Sequence, residues 1–370
     1  MNFRQIMADM LVESDISAIA EKEAEMMKPI CSTFGKLSSG EEIASIRFSD
    51  GISVAVEFIN YGAAIRSLYV LDKRGNPVDI CLGYDTIQEY EQSNCCFGAT
   101  MGRCVDRIAG AKIFLSGKEH QLSENRKGFH IHGGFCGFHK RVWEYELQDD
   151  AVVFFITSPS GDEGYPGQLT ATVRYSFPSP GVLEIAYDAV SDKKTVINLT
   201  NHSYFNLDGH ASGDVLRERL LIQAKEAAET DENNIPLGSV INIAGTPLDF
   251  STPKALGVDI GEDYFPVQKV GGYDHTFFLE EKDRSAQLHS EKTGIIMSIK
   301  TDFPALHIYT ANFLHKQRGK NGAEYGPYHG ICLETEYVPN GMNLPCFQPQ
   351  PIFDAGQHFR HKTQLCFNTE

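Results

Sequence analysis

The sequence predicts an all-β protein, a large antiparallel β-sandwich with a few short helices, on three observations. From about Thr33 onward, short apolar alternations are separated by Gly, Pro, Asn and Asp, the texture of many strands joined by turns. Three of those runs alternate with the period of two that a half-buried strand requires. Between two of them lies Pro178-Ser179-Pro180-Gly181, whose prolines cannot donate to a central ladder and so mark the turn of a hairpin.

Taken in order, residues 16–28 carry the one extended helical pattern near the start. Asp15 or Ser17 can cap it, Ile16, Ile19, Ala20 and Met27 form a loose stripe, and Pro29 stops it. Residues 1–32 therefore read as an N-terminal extension with helical patterning. The first alternating run sets Val54, Val56 and Phe58 against Ser53, Ala55 and Glu57. The hairpin partners set Ala171, Val173, Tyr175 and Phe177 against Thr172, Arg174 and Ser176, then Leu183, Ile185 and Tyr187 against Glu184, Ala186 and Asp188. No exact repeat, low-complexity linker or Gly-Ser hinge divides residues 33–370, so they are expected to form one sandwich domain.

Composition narrows the function. Hydrophobic residues at 42% and charged residues at 22% are the balance of a water-soluble globular chain with a large core. A net charge of −16 repels nucleic acid and anionic membranes, so a neutral small molecule is the expected partner, with no nucleic acid and no membrane. No stretch reaches the roughly 18 consecutive apolar residues of a membrane span. Acidic residues scattered through the first 29 positions argue against a signal peptide. Nine cysteines without a C-x-x-C spacing read as reduced thiols in a cytoplasmic protein. A monomer or a homodimer is equally compatible with all of this.

Five segments place polar residues where a packed core would prefer apolar ones. Arg103 and Arg107 stand between Gly102 and Gly110; each is a fork for hydroxyls or carboxylates, or else the partner of Asp106 in a surface ion pair. In Phe129-His130-Ile131-His132-Gly133-Gly134, strand alternation puts both histidines on one face, and the glycines let a ligand approach the backbone. An H-x-H could begin a metal site, but no third His or Cys follows at close spacing. His202 is surrounded by hydrogen-bonding side chains in Asn198 to Leu207, which suits either a poised proton carrier or a satisfied core histidine. Asp274 precedes an apolar strand, where it can cap a turn. Glu334 follows Ile331 to Leu333 and is costly to bury without a task, since desolvation raises a carboxyl toward the range of a working base. No nucleophile elbow, dinucleotide fingerprint or P-loop is present, so neither cofactor nor metal is expected.

These segments, in this order, resemble the aldose 1-epimerase, or galactose mutarotase, family. The matching text is N-Y-G-A from Asn60, G-R-x-x-x-R-I-A from Gly102, H-G-G from His132, D-E-G-Y-P-G from Asp162, N-L-T-N-H-S-Y-F-N-L from Asn198, Y-D-H from Tyr273, Y-T-A-N-F from Tyr309 and L-E-T from Leu333. It spans about Thr33 to Cys366, and the ten residues around His202 are the most specific part. The resemblance implies the large sandwich called a supersandwich, galactose mutarotase-like, and a reaction that opens and recloses the ring of a free aldose such as glucose or galactose. It implies Glu334 as general base, His202 as general acid, and Arg107, His132, Asp274 and Tyr204 as groups that hold the sugar. This chain departs from the family's pattern at Asp106, where many relatives have Asn, and at His307, where several have Gln; both positions are expected beside the sugar and to affect hydroxyl preference. Competing expectations are mutarotation of a hexose 6-phosphate, a sugar-binding module without turnover, and a metal-dependent isomerase built on His130 and His132.

Overall fold

Alternating runs become three large antiparallel sheets in the computed structural model, which describes residues 28–280 and 283–370. The helical pattern expected over residues 16–28 lies, but for Lys28, outside the described residues. Strand texture begins at Ile30 rather than about Thr33: Ile30–Lys36 pairs with Glu42–Ser49 and opens a five-stranded meander completed by Val54–Ile59, Ala64–Leu71 and Pro77–Asp79. Only two short α-helices, Ile87–Gln92 and Phe265–Gln268, occur among the described residues.

The predicted hairpin is Leu169–Ser179 with Val182–Ser191, at the heart of a nine-stranded sheet. Ala171, Val173 and Tyr175 face the core with Leu183, Ile185 and Tyr187, as alternation requires. Phe177 follows less completely, partly buried against the same core with its ring 4.9 Å from that of Phe48. The register shifts between Ser176 and Ser179, and Ser176 is buried next to buried Tyr175, a local break in alternation of the kind that an extra residue on one strand produces. In Val54–Ile59 the alternation hides a second covered face, for all six residues are buried. Glu57 is tolerated there because Ser45 Oγ donates to it at 2.6 Å and Arg66 pairs with it at 2.7 Å.

One apolar cluster joins the three sheets. Phe58 of the meander packs against Tyr175 and Phe154 of the nine-stranded sheet, with ring centroids 4.4 and 5.8 Å apart. A six-stranded sheet completes it, in the order Tyr204–Phe205, Ile331–Glu336, Ala305–Tyr309, Asp274–Leu279, Ala224–Thr230 and Pro236–Asn242. Phe205, Ile331, Leu333, Leu306, Ile308 and Phe277 supply its core face. Thr335, on that face too, meets Thr363 of the nine-stranded sheet at 2.6 Å. The other face carries the polar residues.

Candidate active site

Because side chains alternate along a strand, every second residue of three neighbouring strands shares the face opposite the core. The register then fixes two rungs across the sheet. Thr276 stands opposite His307, which stands opposite Glu334; Asp274 stands opposite Tyr309, which stands opposite Cys332, itself opposite Tyr204. Polar residues far apart in the chain thus become nearest neighbours on one surface.

Loops from the other side close over it. The Arg103 guanidinium is buried and donates to Ser158 Oγ at 2.8 Å and to the carbonyls of Ser158 and Pro159, each at 2.7 Å. Val105 N–H donates to the Asn198 carbonyl, and Asn198 N–H to that of Arg103, so this loop and the Asn198 segment are stitched together. Asp106 then turns at φ 56°, and Arg107 reaches across to Asp106 at 2.8 Å and Asp274 at 3.1 Å. His132 sits at φ 52°, just past the strand Phe129–Ile131. Its Nδ1 accepts from the Asp106 N–H at 3.2 Å, which leaves the ring proton on Nε2. Gly133 is required here because a Cβ would fall 1.8 Å from the Gly102 carbonyl oxygen, at φ 80°.

His202 arrives from the segment between Thr200–Asn201 and Tyr204–Phe205, held by its backbone N–H to Ala99 O at 2.9 Å. Its Nε2 lies 3.4 Å from Oε1 of Glu334, and its ring stacks on Tyr204 with centroids 5.1 Å apart. His132 meets it edge-on at 5.4 Å. His307 hydrogen-bonds Asp274 at 2.9 Å through Nε2, and Thr276 at 2.8 Å through Nδ1, with Asp106 at 3.5 Å. Arg107, His132, His202, Tyr204, Asp274 and Tyr309 line a cavity of about 220 Å³. Glu334 is not part of that wall; it touches His202, which is.

Burial and charge set the protons. Burial lowers His202 to about 4 and raises Glu334 to about 8, the latter opposed mainly by the charge of His307. The pair therefore carries one proton at neutral pH, and in this arrangement it rests on Glu334. Burial also works against charging His307, but Asp106 and Asp274 outweigh it and raise the imidazole to about 9. Asp274 is likewise desolvated, yet Arg107 and His307 hold its carboxyl well below the usual range. Burial, followed by His202 and His139, pushes His132 well down, so it is neutral. Glu336, whose two oxygens have no hydrogen-bond partner, is raised by burial and by Asp106 and Glu334, and is a neutral acid.

Glu334, His202, Arg107, His132, Asp274, Tyr204, Asp106 and His307 lie close together, but Asp106 and His307, expected beside the sugar, stand behind the cavity wall, bonded to Arg107 and Asp274. Several local expectations fail. His130 and His132 do not share a face: the positive φ at 132 breaks the period, and His130 is buried against Tyr165, whose hydroxyl lies 2.8 Å from its Nε2. The glycines admit protein rather than ligand, since a Cβ on Gly134 would strike the Glu163 side chain. Asp274 caps no turn, and the ion pair of Arg107 with Asp106 is enclosed in the site rather than on the surface. Arg103 braces the loop instead of touching the cavity. Sequence reasoning missed Asn94, Cys95, Cys96, Arg126 and Phe313 on the cavity wall, and Thr276, Cys332 and Glu336 on the sheet face. The last three were legible in strand alternation from Asp274 and Glu334; the loop residues carried no such signal. Two sets of donors lie close enough to hold a metal ion among the described residues, His202 with Cys332 and Glu334, and Asp106 with His307 and Glu336; neither contains His130 or His132.

The family model described as aldose 1-epimerase matches residues 44–366. Galactose mutarotase of Mus musculus is 37% identical over 339 residues, covering 90% of this chain and 97% of its own. The crystal structure of galactose 1-epimerase from Lactobacillus acidophilus NCFM gives a TM-score of 0.82 at 26% identity, covering 93% of this chain and 99% of that one. That of an aldose epimerase homologue from C. elegans gives 0.79 at 28%, covering 86% and 96%. With its fold and nearly its whole length matched in this way, the chain belongs to the aldose 1-epimerase family.

Proposed function

We propose that the protein is an aldose 1-epimerase acting on a free hexose such as glucose or galactose, with Glu334 as general base and His202 as general acid. The observation that carries this reading is the 3.4 Å contact between His202 Nε2 and Glu334 Oε1 at the wall of a cavity the size of one monosaccharide. The pair's single proton moves to His202 as the sugar's hemiacetal displaces that contact. Glu334 then takes the proton of the C1 hydroxyl while His202 gives its own to the ring oxygen O5, and the C1–O5 bond breaks to the open aldehyde. After rotation about C1–C2, O5 attacks the other face with the proton transfers reversed, so the pair ends as it began. Arg107, the Nε2–H of neutral His132, Asp274 and Tyr204 hold the hydroxyls. Asp106 and His307, bonded to the first and third of these, fix their orientation.

Polarimetry on freshly dissolved α-glucose and α-galactose tests this. Acceleration over buffer is expected with at least one sugar and is expected to collapse in Glu334→Gln; equal rates with and without enzyme for both sugars would refute it. Arg126, exposed on the cavity wall, lends some support to a hexose 6-phosphate instead. The free sugar is favoured because the Arg107 charge is already matched by Asp106 and Asp274, and competition between the two substrates decides. Nine free thiols support a reducing, cytoplasmic setting. No helix among the described residues is long and apolar enough to cross a membrane.

A further inference from the structure

A thiol has no part in the proton transfers above, yet strand alternation places one beside them. Cys332 shares its face with Glu334, is fully buried, and its Sγ lies 3.5 Å from Nδ1 of His202. One ligand atom from each of His202, Cys332 and Glu334 lies within 4.8 Å of the other two. Imidazole, thiolate and carboxylate are the donors that zinc takes, at about 2.0–2.1 Å for nitrogen and oxygen and about 2.3 Å for sulfur. Tetrahedral geometry with those bonds separates neighbouring donors by roughly 3.3–3.6 Å. The Glu334 and Cys332 contacts with the imidazole already have that length. They use opposite nitrogens of one ring, so a cation takes one nitrogen and the third donor closes the remaining gap, about an ångström at the longest separation. Three protein ligands leave a fourth position open, and His202, one of the three, lines the cavity.

We propose that His202, Cys332 and Glu334 form a binding site for zinc or a similar thiophilic divalent cation, whose occupation excludes the sugar and silences the acid–base pair. This rests on the assignment of His202 and Glu334 made above. Binding displaces the thiol proton of Cys332 and the carboxyl proton of Glu334 to solvent, so two negative ligands meet the doubly charged ion and affinity rises with pH. The competing set around Glu336 is less suited, because Asp106 and His307 already spend their donor atoms on Arg107, Asp274 and Thr276.

The test is calorimetric titration of metal-stripped protein with zinc chloride, with and without saturating galactose, alongside polarimetry in the same buffer. Exposed Cys31, Cys136 and Cys346 can bind zinc in any variant, so the readout is the difference between wild type and Cys332→Ser. The expected result is one site per chain that galactose suppresses and Cys332→Ser removes, with the zinc concentration for half-inhibition rising roughly tenfold or more in that variant. Chelator should restore the wild-type rate. Glu334→Gln, scored by calorimetry alone, should weaken the same site, and matching unfolding temperatures exclude misfolding. Identical titrations and identical inhibition in wild type and Cys332→Ser overturn the metal site. Absence of mutarotation in the metal-free protein overturns the functional reading instead, since the Cys332-dependent zinc signal needs no turnover.

Discussion

His307 is where charge does most to shape the site. Enclosed between Asp274 and Asp106, it holds its proton to about 9, and that charge opposes the burial that raises Glu334 to about 8. With one proton required on the His202 and Glu334 pair, kcat/KM is expected to be bell-shaped, falling below about 4 as both protonate and above about 8 as both lose their proton. His307→Gln removes a nearby cation and should move the alkaline limb to higher pH. A limb unmoved, or moved down, in a pH profile of that variant would count against the coupling. The same protons bear on folding. His307 is raised on folding, so its contribution is complete below its ordinary value of about 6.5 and lost as pH climbs through about 9. Glu334, raised from 4.5 to about 8, acts in the same sense, so the unfolding temperature should decline between pH 6.5 and 9.

The strand Ile331–Glu336 does two jobs with its two faces. Leu333 is in the apolar cluster joining the sheets, while Glu334, one residue on, faces His202. Leu333→Ala is expected to cost about 2–5 kcal/mol of stability, read by denaturant unfolding, while leaving kcat of the folded fraction near wild type. Glu334→Gln should do the reverse, lowering kcat by roughly 10² to 10⁴ with little change in unfolding. If both substitutions damaged stability and rate alike, the separation of faces would be wrong. Tertiary context also overrides the local pattern within elements. The irregularity after Ser176 buries Ser176 beside Tyr175, which alternation alone would have left outside, and the second covered face of Val54–Ile59 comes from sheets the local run does not encode.

Across the molecule, one apolar cluster runs through all three large sheets, so we expect a single cooperative transition in calorimetry; two well-separated transitions would show that the sheets are stabilised independently. The net charge of −16 gives a second expectation. A neutral hexose does not feel that field, so its kcat/KM should be nearly independent of ionic strength. A phosphorylated hexose is repelled at a distance, and any turnover of it should rise as salt screens the repulsion. Steady-state rates at low and high salt separate the two substrates, and a steep fall with salt for the preferred sugar would point to an anionic substrate drawn in by a local basic field.

The sequence by itself determined the all-β class, the hairpin across Pro178 to Gly181, the family, and the residues that meet in the site. The class and the hairpin are carried by period-two alternation and turn residues, the family and the site residues by the resemblance of the motifs that hold them. Tertiary structure alone decided what each residue faces. His130 and His132 look equivalent as H-x-H, yet a positive φ at 132 sends one into the core and the other to the cavity. Arg103 and Arg107 look equivalent between their glycines, yet one is a brace and the other an ion-pair hub. Cys332 acquires a role only because an antiparallel register sets it next to an imidazole 130 positions away. Torsions at single residues, sheet register and burial depend on neighbours remote in the chain, and the protons on Glu334 and His307 follow from that burial and those neighbours rather than from any local pattern.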